Sequence, residues 1–279
     1  MKRQLSVAIS PCPNDTFIWG ALALQQVRSP FSFHFLYEDI QTLNHLVMQG
    51  SIDVAKISFF QYAFLPRRVY RLLPVGGALG YGVGPLLVAR SALPVESLSE
   101  KRIGIPGFRT TAYSLLRFFM PTASHLVEMR YNELIPALVR GDLEAAVIIH
   151  ESRFRYKEWG LVCIQDLGAY WTQQTGYPVP LGGVVIRRGI PARPLIRYLR
   201  QSLRLAWKDR VPGLWTFIAQ RAQEMDMSLQ RAHIALYVNR FSYCLGPLGK
   251  AAIKQYLRHV QHLIGETGGE KFTLASRNL

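Results

Sequence analysis

His150 is the residue in this chain best placed for proton chemistry. The apolar run Ala145-Ala146-Val147-Ile148-Ile149 has the character of a buried strand and delivers His150 and Glu151 to its carboxyl end. Ligands in open α/β sheets bind in the crevice outside the carboxyl ends of strands. Imidazole titrates near neutrality, so a histidine there can take up a proton at cellular pH. A hydrogen-bonded structural histidine is the competing reading. The other six histidines lack this context: His259 and His262 share a helix face and the rest are scattered.

Three other junctions supply groups suited to holding an anion. Ser10-Pro11-Cys12-Pro13-Asn14-Asp15-Thr16-Phe17 follows the first apolar strand; its prolines fix the turn, and Asn14, Asp15 or Thr16 can cap the next helix. Val54-Ala55-Lys56-Ile57-Ser58 carries a lysine inside an apolar strand, where a charge is costly unless it is paired or faces a cleft. An edge strand with Lys56 toward solvent would explain it as well. Pro106-Gly107-Phe108-Arg109-Thr110-Thr111-Ala112 is the third junction. A threonine hydroxyl with the first helical N–H groups makes a cradle for carboxylate or phosphate. Each junction taken alone also reads as ordinary capping; three in one chain point to a shared anion-binding cleft.

Several chemistries are excluded by pattern. The run Gly76-Gly77-Ala78-Leu79-Gly80-Tyr81-Gly82-Val83-Gly84-Pro85 lacks the Gly-Lys-Ser/Thr ending of a phosphate loop, and no dinucleotide fingerprint is present. Its glycines suit close passage of backbone segments where two lobes cross. No His, Cys, Asp or Glu cluster has metal spacing, so no metal is expected. Cys12, Cys163 and Cys244 are far apart and odd in number, which gives no disulfide framework and favours a reducing, cytoplasmic setting.

The elements that must position these residues follow from periodicity. Apolar runs at Leu5–Ile9, Phe31–Leu36 and Val54–Ile57 alternate with helical patterns at Thr16–Val27 and Ile40–Gly50. The middle repeats the theme, with strands at Pro85–Ala89, Arg102–Gly107, Ala145–Ile149 and Gly183–Ile186 and helices at Thr110–Phe119 and Asn132–Gly141. Such a rhythm predicts a parallel or mixed sheet covered by helices. The last third is helical. Ile196, Leu199, Leu203 and Ala206 form the apolar stripe of Arg193–Arg210, with Arg193, Arg197, Arg200 and Arg204 on a solvated face. We therefore expect an α/β protein of two lobes with a ligand cleft between them. Residues 1–85 and 190–279 form a larger, discontinuous lobe and residues 86–189 a smaller one.

At 279 residues and 49% apolar composition the chain can bury two cores, which excludes disorder as its main state. No apolar run reaches the roughly 18 residues of a membrane span, and the basic start breaks too soon for a signal peptide. The formal charge is +15, and residues 190–279 carry 14 basic against 5 acidic side chains. An excess of that size can recruit RNA, anionic lipid or an anionic small-molecule substrate, and it can equally reflect solubility or genome composition. Nucleic-acid binding would rest on charge alone, because the arginine stripe lacks interleaved aromatics.

In combination these motifs resemble the 1,4-dihydroxy-6-naphthoate synthases of the futalosine route to menaquinone. The resemblance rests on Ser10–Phe17, Lys56-Ile57-Ser58, the Gly80-x-Gly82-x-Gly84-Pro85-Leu86 stretch and Pro106-Gly107-x-x-Thr110-Thr111-Ala112. Ile149-His150-Glu151-x-Arg153-Phe154-x-Tyr156 and His233-Ile234-Ala235-Leu236-Tyr237-Val238-Asn239 complete the set, so it spans nearly the whole chain. Ser152 stands where that family often has glycine, Phe60-Gln61 follows Ser58 less typically, and the high basicity is not a family trait. The resemblance implies a type 2 periplasmic-binding-protein-like fold used as a cytoplasmic lyase without a cofactor. It implies cyclic dehypoxanthine futalosine as substrate, His150 as proton acceptor, and substrate contacts from Lys56, Ile57, Ser58, Thr111 and Ala112. The sequence reading adds Thr110, Asn14 and Asn44 to the cleft. The nearest alternatives are a chorismate dehydratase of the same route and fold, and a non-catalytic binding protein for a small carboxylate, which would not need His150.

Overall fold

The computed structural model describes residues 3–66, 68–150, 152–222 and 226–266. The first sheet begins with β1 (Arg3–Ile9), α1 (Pro13–Ala23), β2 (Phe31–Tyr37), α2 (Ile40–Met48) and β3 (Val54–Ser58). β1 lies between β2 and β3 and is parallel to both. Its residues alternate as a strand buried on both faces demands. Leu5, Val7 and Ile9 enter one apolar core, and Ala8 enters another with Ala55 and Ile57. On β2 a ladder of Phe31, Phe33, Phe35 and Tyr37 lines one face, with Trp19 of α1 edge-on to Phe33 and Phe35. After α3 (Phe59–Phe64), two short strands, β4 (Tyr70–Leu72) and β5 (Ala78–Gly80), end this segment.

The second sheet contains β6 (Leu86–Ala89), β7 (Arg102–Ile105), α4 (Thr111–Phe119), β8 (His125–Glu128), α5 (Leu134–Arg140), β9 (Ala145–Ile148), α6 (Ser152–Arg155), β10 (Val162–Asp166) and α7 (Leu167–Thr175). Its strand order is β10-β6-β9-β7-β8, mixed in direction. The chain then returns through β11 (Val179–Arg187) to α8 (Ala192–Trp207), α9 (Leu214–Ala219), α10 (Met227–Tyr237), α11 (Arg240–Tyr243) and α12 (Gly246–Glu266).

The return strand corrects the expected lobe boundary. Residues 179–187 were grouped with 86–189, but β11 pairs antiparallel with β3, β4 and β5 of the first sheet. Its continuous apolar run reads the same in either sheet, so periodicity could not assign it. α12 also departs from a simple assignment to one lobe. It packs on α3 and β11 of the first sheet and on α4 beside the second, and Tyr256 Oη meets Ser114 Oγ of α4. On α8 the buried stripe runs through Ala192, Leu195, Leu199, Leu203 and Ala206, while Ile196 is only half-buried. Arg193, Arg197 and Arg204 are exposed, and Arg200 donates from Nε to the Tyr243 carbonyl at 3.1 Å.

The glycine-rich run does bring two backbones together. A Cβ on Gly168 would lie 1.8 Å from the Val83 carbonyl oxygen, and one on Gly84 would lie 2.9 Å from Gly168 Cα. Arg153 locks this crossing, donating to the Gly84 carbonyl at 2.7 Å and the Gly82 carbonyl at 3.1 Å. It also pairs with Asp166, the N-cap of α7, at 2.6 Å. No helix among the described residues is long and apolar enough to cross a membrane.

Candidate active site

The carboxyl ends of β1, β3 and β9 and the loop after β7 converge on one cavity of about 130 Å³ between the sheets. Asn14, Lys56, Ser58, Thr110, Thr111, Ala112 and His150 all line it. Ile57 and Asn44, also expected in the cleft, do not. Strand side chains alternate, so Ile57 points away from Lys56 and Ser58 and is fully buried in the core. Asn44 stands behind Ser58. Its Oδ1 accepts from Ser58 N at 3.0 Å, and its Nδ2 donates to Ser58 Oγ at 3.2 Å and to the Arg109 carbonyl at 3.0 Å. It positions rather than lines.

The deepest wall is a chain of buried polar groups. Lys56 Nζ donates to Asp15 Oδ1 at 2.8 Å and to the Gly76 carbonyl at 2.9 Å. Asp15 Oδ2 accepts from Ser10 Oγ at 2.9 Å, and Asp15 Oδ1 also accepts from Asn14 Nδ2 at 3.1 Å. Lys56 and Asp15 are 4% and 2% exposed, and each offsets the other's buried charge at 2.8 Å. Lys56 therefore reaches the cavity as half of a neutralised pair rather than as a bare cation.

The hydroxyls on the wall are committed too. Ser58 Oγ caps α3 by accepting from Gln61 N at 3.0 Å, and it donates to the Arg109 carbonyl at 2.9 Å. Thr110 caps α4, accepting from Tyr113 N at 3.2 Å and donating to the Gly107 carbonyl at 2.7 Å. Thr111 Oγ1 donates to the Leu181 carbonyl of β11 at 2.9 Å, a bond from the second sheet's side to the first. The first N–H groups of a helix have no partner within it, and the Thr110 cap takes only that of Tyr113. The cavity-facing start of α4 thus offers the backbone of Thr111 and Ala112 to an anion.

His150 follows β9 with φ +55°, a left-handed conformation that histidine tolerates better than most residues. That turn carries the ring off the strand line to the cavity wall. Cys12 Sγ lies 3.0 Å from Nδ1, and the Tyr131 ring stands edge-on with centroids 5.0 Å apart. Cys12 is buried, so the ring is held from the first-sheet side as well as from its own strand. Glu151, in the same motif, lies outside the described residues.

A second histidine on this wall carried no role in the sequence. His233 of α10 is 2% exposed and lines the cavity beside Tyr237. Its Nε2 lies 3.0 Å from Asn14 Oδ1, and its Nδ1 has no hydrogen-bond partner among the described residues. Burial, aided by nearby His150, pushes its pKa down to about 3, so it is neutral. Burial also pushes the Tyr237 phenol up to about 12, keeping it protonated. A lone histidine on a helix has no spacing signature, and its neighbour Asn14 is 219 residues away; only its inclusion in the quoted His233–Asn239 motif marked it.

The comparisons with known proteins give the family and the fold. The family described as Menaquinone biosynthesis matches residues 5–262. A Thermus thermophilus protein named 1,4-dihydroxy-6-naphthoate synthase is 41% identical over 256 residues, covering 89% of this chain and 91% of that protein. A Streptomyces coelicolor protein of the same name is 38% identical over 263 residues, covering 91% of each. Among solved structures, an Archaeoglobus fulgidus protein superposes with a TM-score of 0.85 at 29% identity, covering 95% of this chain and 98% of that one. The alkanesulfonate-binding protein SsuA of Xanthomonas axonopodis pv. citri superposes with a TM-score of 0.71 at 14% identity, covering 98% and 96%. The fold is that of periplasmic binding proteins.

Proposed function

The chain belongs to the menaquinone biosynthesis family of 1,4-dihydroxy-6-naphthoate synthases, and on that premise we propose that it is a lyase releasing 1,4-dihydroxy-6-naphthoate from cyclic dehypoxanthine futalosine, with His150 as proton acceptor. The observation that carries this reading is the placement of His150. It sits at a strand exit, in a left-handed turn, against Cys12, on the wall of the cavity shared by the two sheets. A protein that only binds a carboxylate has no need of a titratable base there.

The chemistry follows from the residue types. The substrate carboxylate fits the start of α4, where the Thr111 and Ala112 N–H groups and the helix dipole favour negative charge. Removal of a carbon-bound proton by the imidazole starts fragmentation of the link between carbocycle and sugar. The electron pair from that C–H bond becomes a ring double bond as the link to the sugar breaks; the sugar-derived piece leaves with that link's electron pair and takes up a proton, and the ring aromatises. Much of the driving force is therefore the substrate's own. The protein's part is a positioned base and fixed donors for the charge that develops, in a cleft that excludes water.

The test is product formation. Purified protein incubated with cyclic dehypoxanthine futalosine is expected to yield 1,4-dihydroxy-6-naphthoate, identified by chromatography and mass, and to leave chorismate unchanged. Dehydration of chorismate would assign the chain to the neighbouring reaction. Tight binding without turnover of either compound would make it a binding protein.

A further inference from the structure

The chain of polar groups behind the cavity fixes the state of its last member. Asp15 is held as a carboxylate by Lys56 and can only accept hydrogen bonds. Asn14 must therefore turn its Nδ2 toward Asp15 and its Oδ1 toward His233. An amide oxygen only accepts, so His233 Nε2 carries the proton, and Nδ1 is left with a lone pair. That nitrogen is the one without a hydrogen-bond partner among the described residues, on a side chain 2% exposed at the cavity wall. The ring is gripped between Tyr237, with centroids 4.6 Å apart, and Phe154, at 6.0 Å, so it cannot turn the nitrogen elsewhere without repacking.

A buried acceptor left unsatisfied is costly, and the same group rejects ligands that cannot supply a donor. We propose that His233 is a specificity residue of the cleft, its Nδ1 accepting a hydrogen bond from a hydroxyl of the bound substrate. The assignment rests on the lyase reading for the identity of that substrate, whose sugar-derived part bears hydroxyl donors. His233 is a poor base for the same reason that it is a good acceptor: burial keeps it neutral far below physiological pH. The two histidines thus divide the work, His150 taking the proton and His233 reading a hydroxyl. A carboxylate placed against Nδ1 would meet lone pair with lone pair, which turns the acid end of the ligand toward α4.

Steady-state kinetics on cyclic dehypoxanthine futalosine and ¹⁵N-histidine NMR test the proposal together. His233→Phe keeps a ring and removes the acceptor; His233→Asn places an amide oxygen close to where Nδ1 stood. KM is expected to rise by about tenfold in His233→Phe, the worth of a hydrogen bond, with kcat and its pH profile little changed and with partial recovery in His233→Asn. An unchanged KM in a folded His233→Phe overturns the inference and leaves the lyase reading intact. In the wild-type protein the Nδ1 resonance is expected to be that of an unprotonated nitrogen and to move upfield when the substrate is added. This second measurement decides the matter where a variant fails to fold. It also separates the two claims: wild type without turnover removes the lyase reading, and the Nδ1 shift on binding still supports or refutes the hydrogen bond. An Nδ1 that is protonated, or that does not respond to bound substrate, overturns it.

Discussion

Asp15 and Lys56 bring opposite charges to the deepest wall of the cavity, 2.8 Å apart. A lysine within an apolar strand signals either a partner or a cleft, and here it has both. The partner itself was hidden, because Asp15 sits 41 residues earlier and looked like one of three possible helix caps. His233 was hidden more deeply, since nothing in its helix distinguishes it until Asn14 is beside it. Asp15→Asn leaves the Lys56 ammonium buried with the Gly76 carbonyl as its remaining acceptor of full strength. Breaking one side of a buried pair costs about 3–5 kcal/mol, and chemical denaturation is expected to show a loss of that order. A loss below about 1 kcal/mol would mean that the pair contributes little to the folded state. His233 adds a pH dependence. Its pKa is lowered from 6.5 to about 3 on folding, so between those values the unfolded chain binds a proton that the folded chain does not. Stability must then fall as pH falls through that window, by up to about 1.4 kcal/mol per pH unit from this group. Denaturation curves at pH 7 and pH 5 are expected to show a drop that is smaller in His233→Phe; equal drops would contradict the assignment.

At the scale of elements, the strands that end at the cleft were legible because their apolar runs stop at Pro, Gly or capping residues. β1, β3, β7 and β9 all stand where the pattern put them, and of the two threonines able to cap α4 it is Thr110 that does so. The stretch from 159 to 176 was not legible. β10 is an edge strand with no buried residue and an exposed Cys163, and α7 is a helix with only Leu167, Gly168 and Trp171 buried, so neither has strong periodicity. Gly168 nonetheless fixes the crossing of the glycine-rich run, where its missing side chain lets α7 meet the Val83 carbonyl. Gly168→Ala is expected to lower Tm by several degrees and to loosen the Arg153 bonds to Gly82 and Gly84. An unchanged melting temperature would show that the two backbones part without cost.

At the scale of the whole molecule, the two-lobed architecture was legible in the doubled α/β rhythm, but the place where the chain returns was not. β11 rejoins the first sheet as a buried strand whose sequence suits either sheet, and α12 then spans both. The cavity is closed by bonds between the two sides: Thr111 to the Leu181 carbonyl, Asn44 and Ser58 to the Arg109 carbonyl, and Cys12 to His150. Thr111, Asn44 and Ser58 thus tie the two sides of the cavity together, and Cys12 ties His150 to the first-sheet side. The measurement that tests this account most directly is the rate of naphthoate formation from cyclic dehypoxanthine futalosine by wild type and His150→Gln, at saturating substrate across pH 5 to 8. The wild-type rate is expected to rise with pH along a histidine titration, and the variant, binding substrate nearly as well, is expected to lose that limb and about 10²–10⁴-fold in rate. A folded His150→Gln protein that keeps most of the wild-type rate and the same pH profile would contradict the account and send the search for the proton acceptor elsewhere in the cleft.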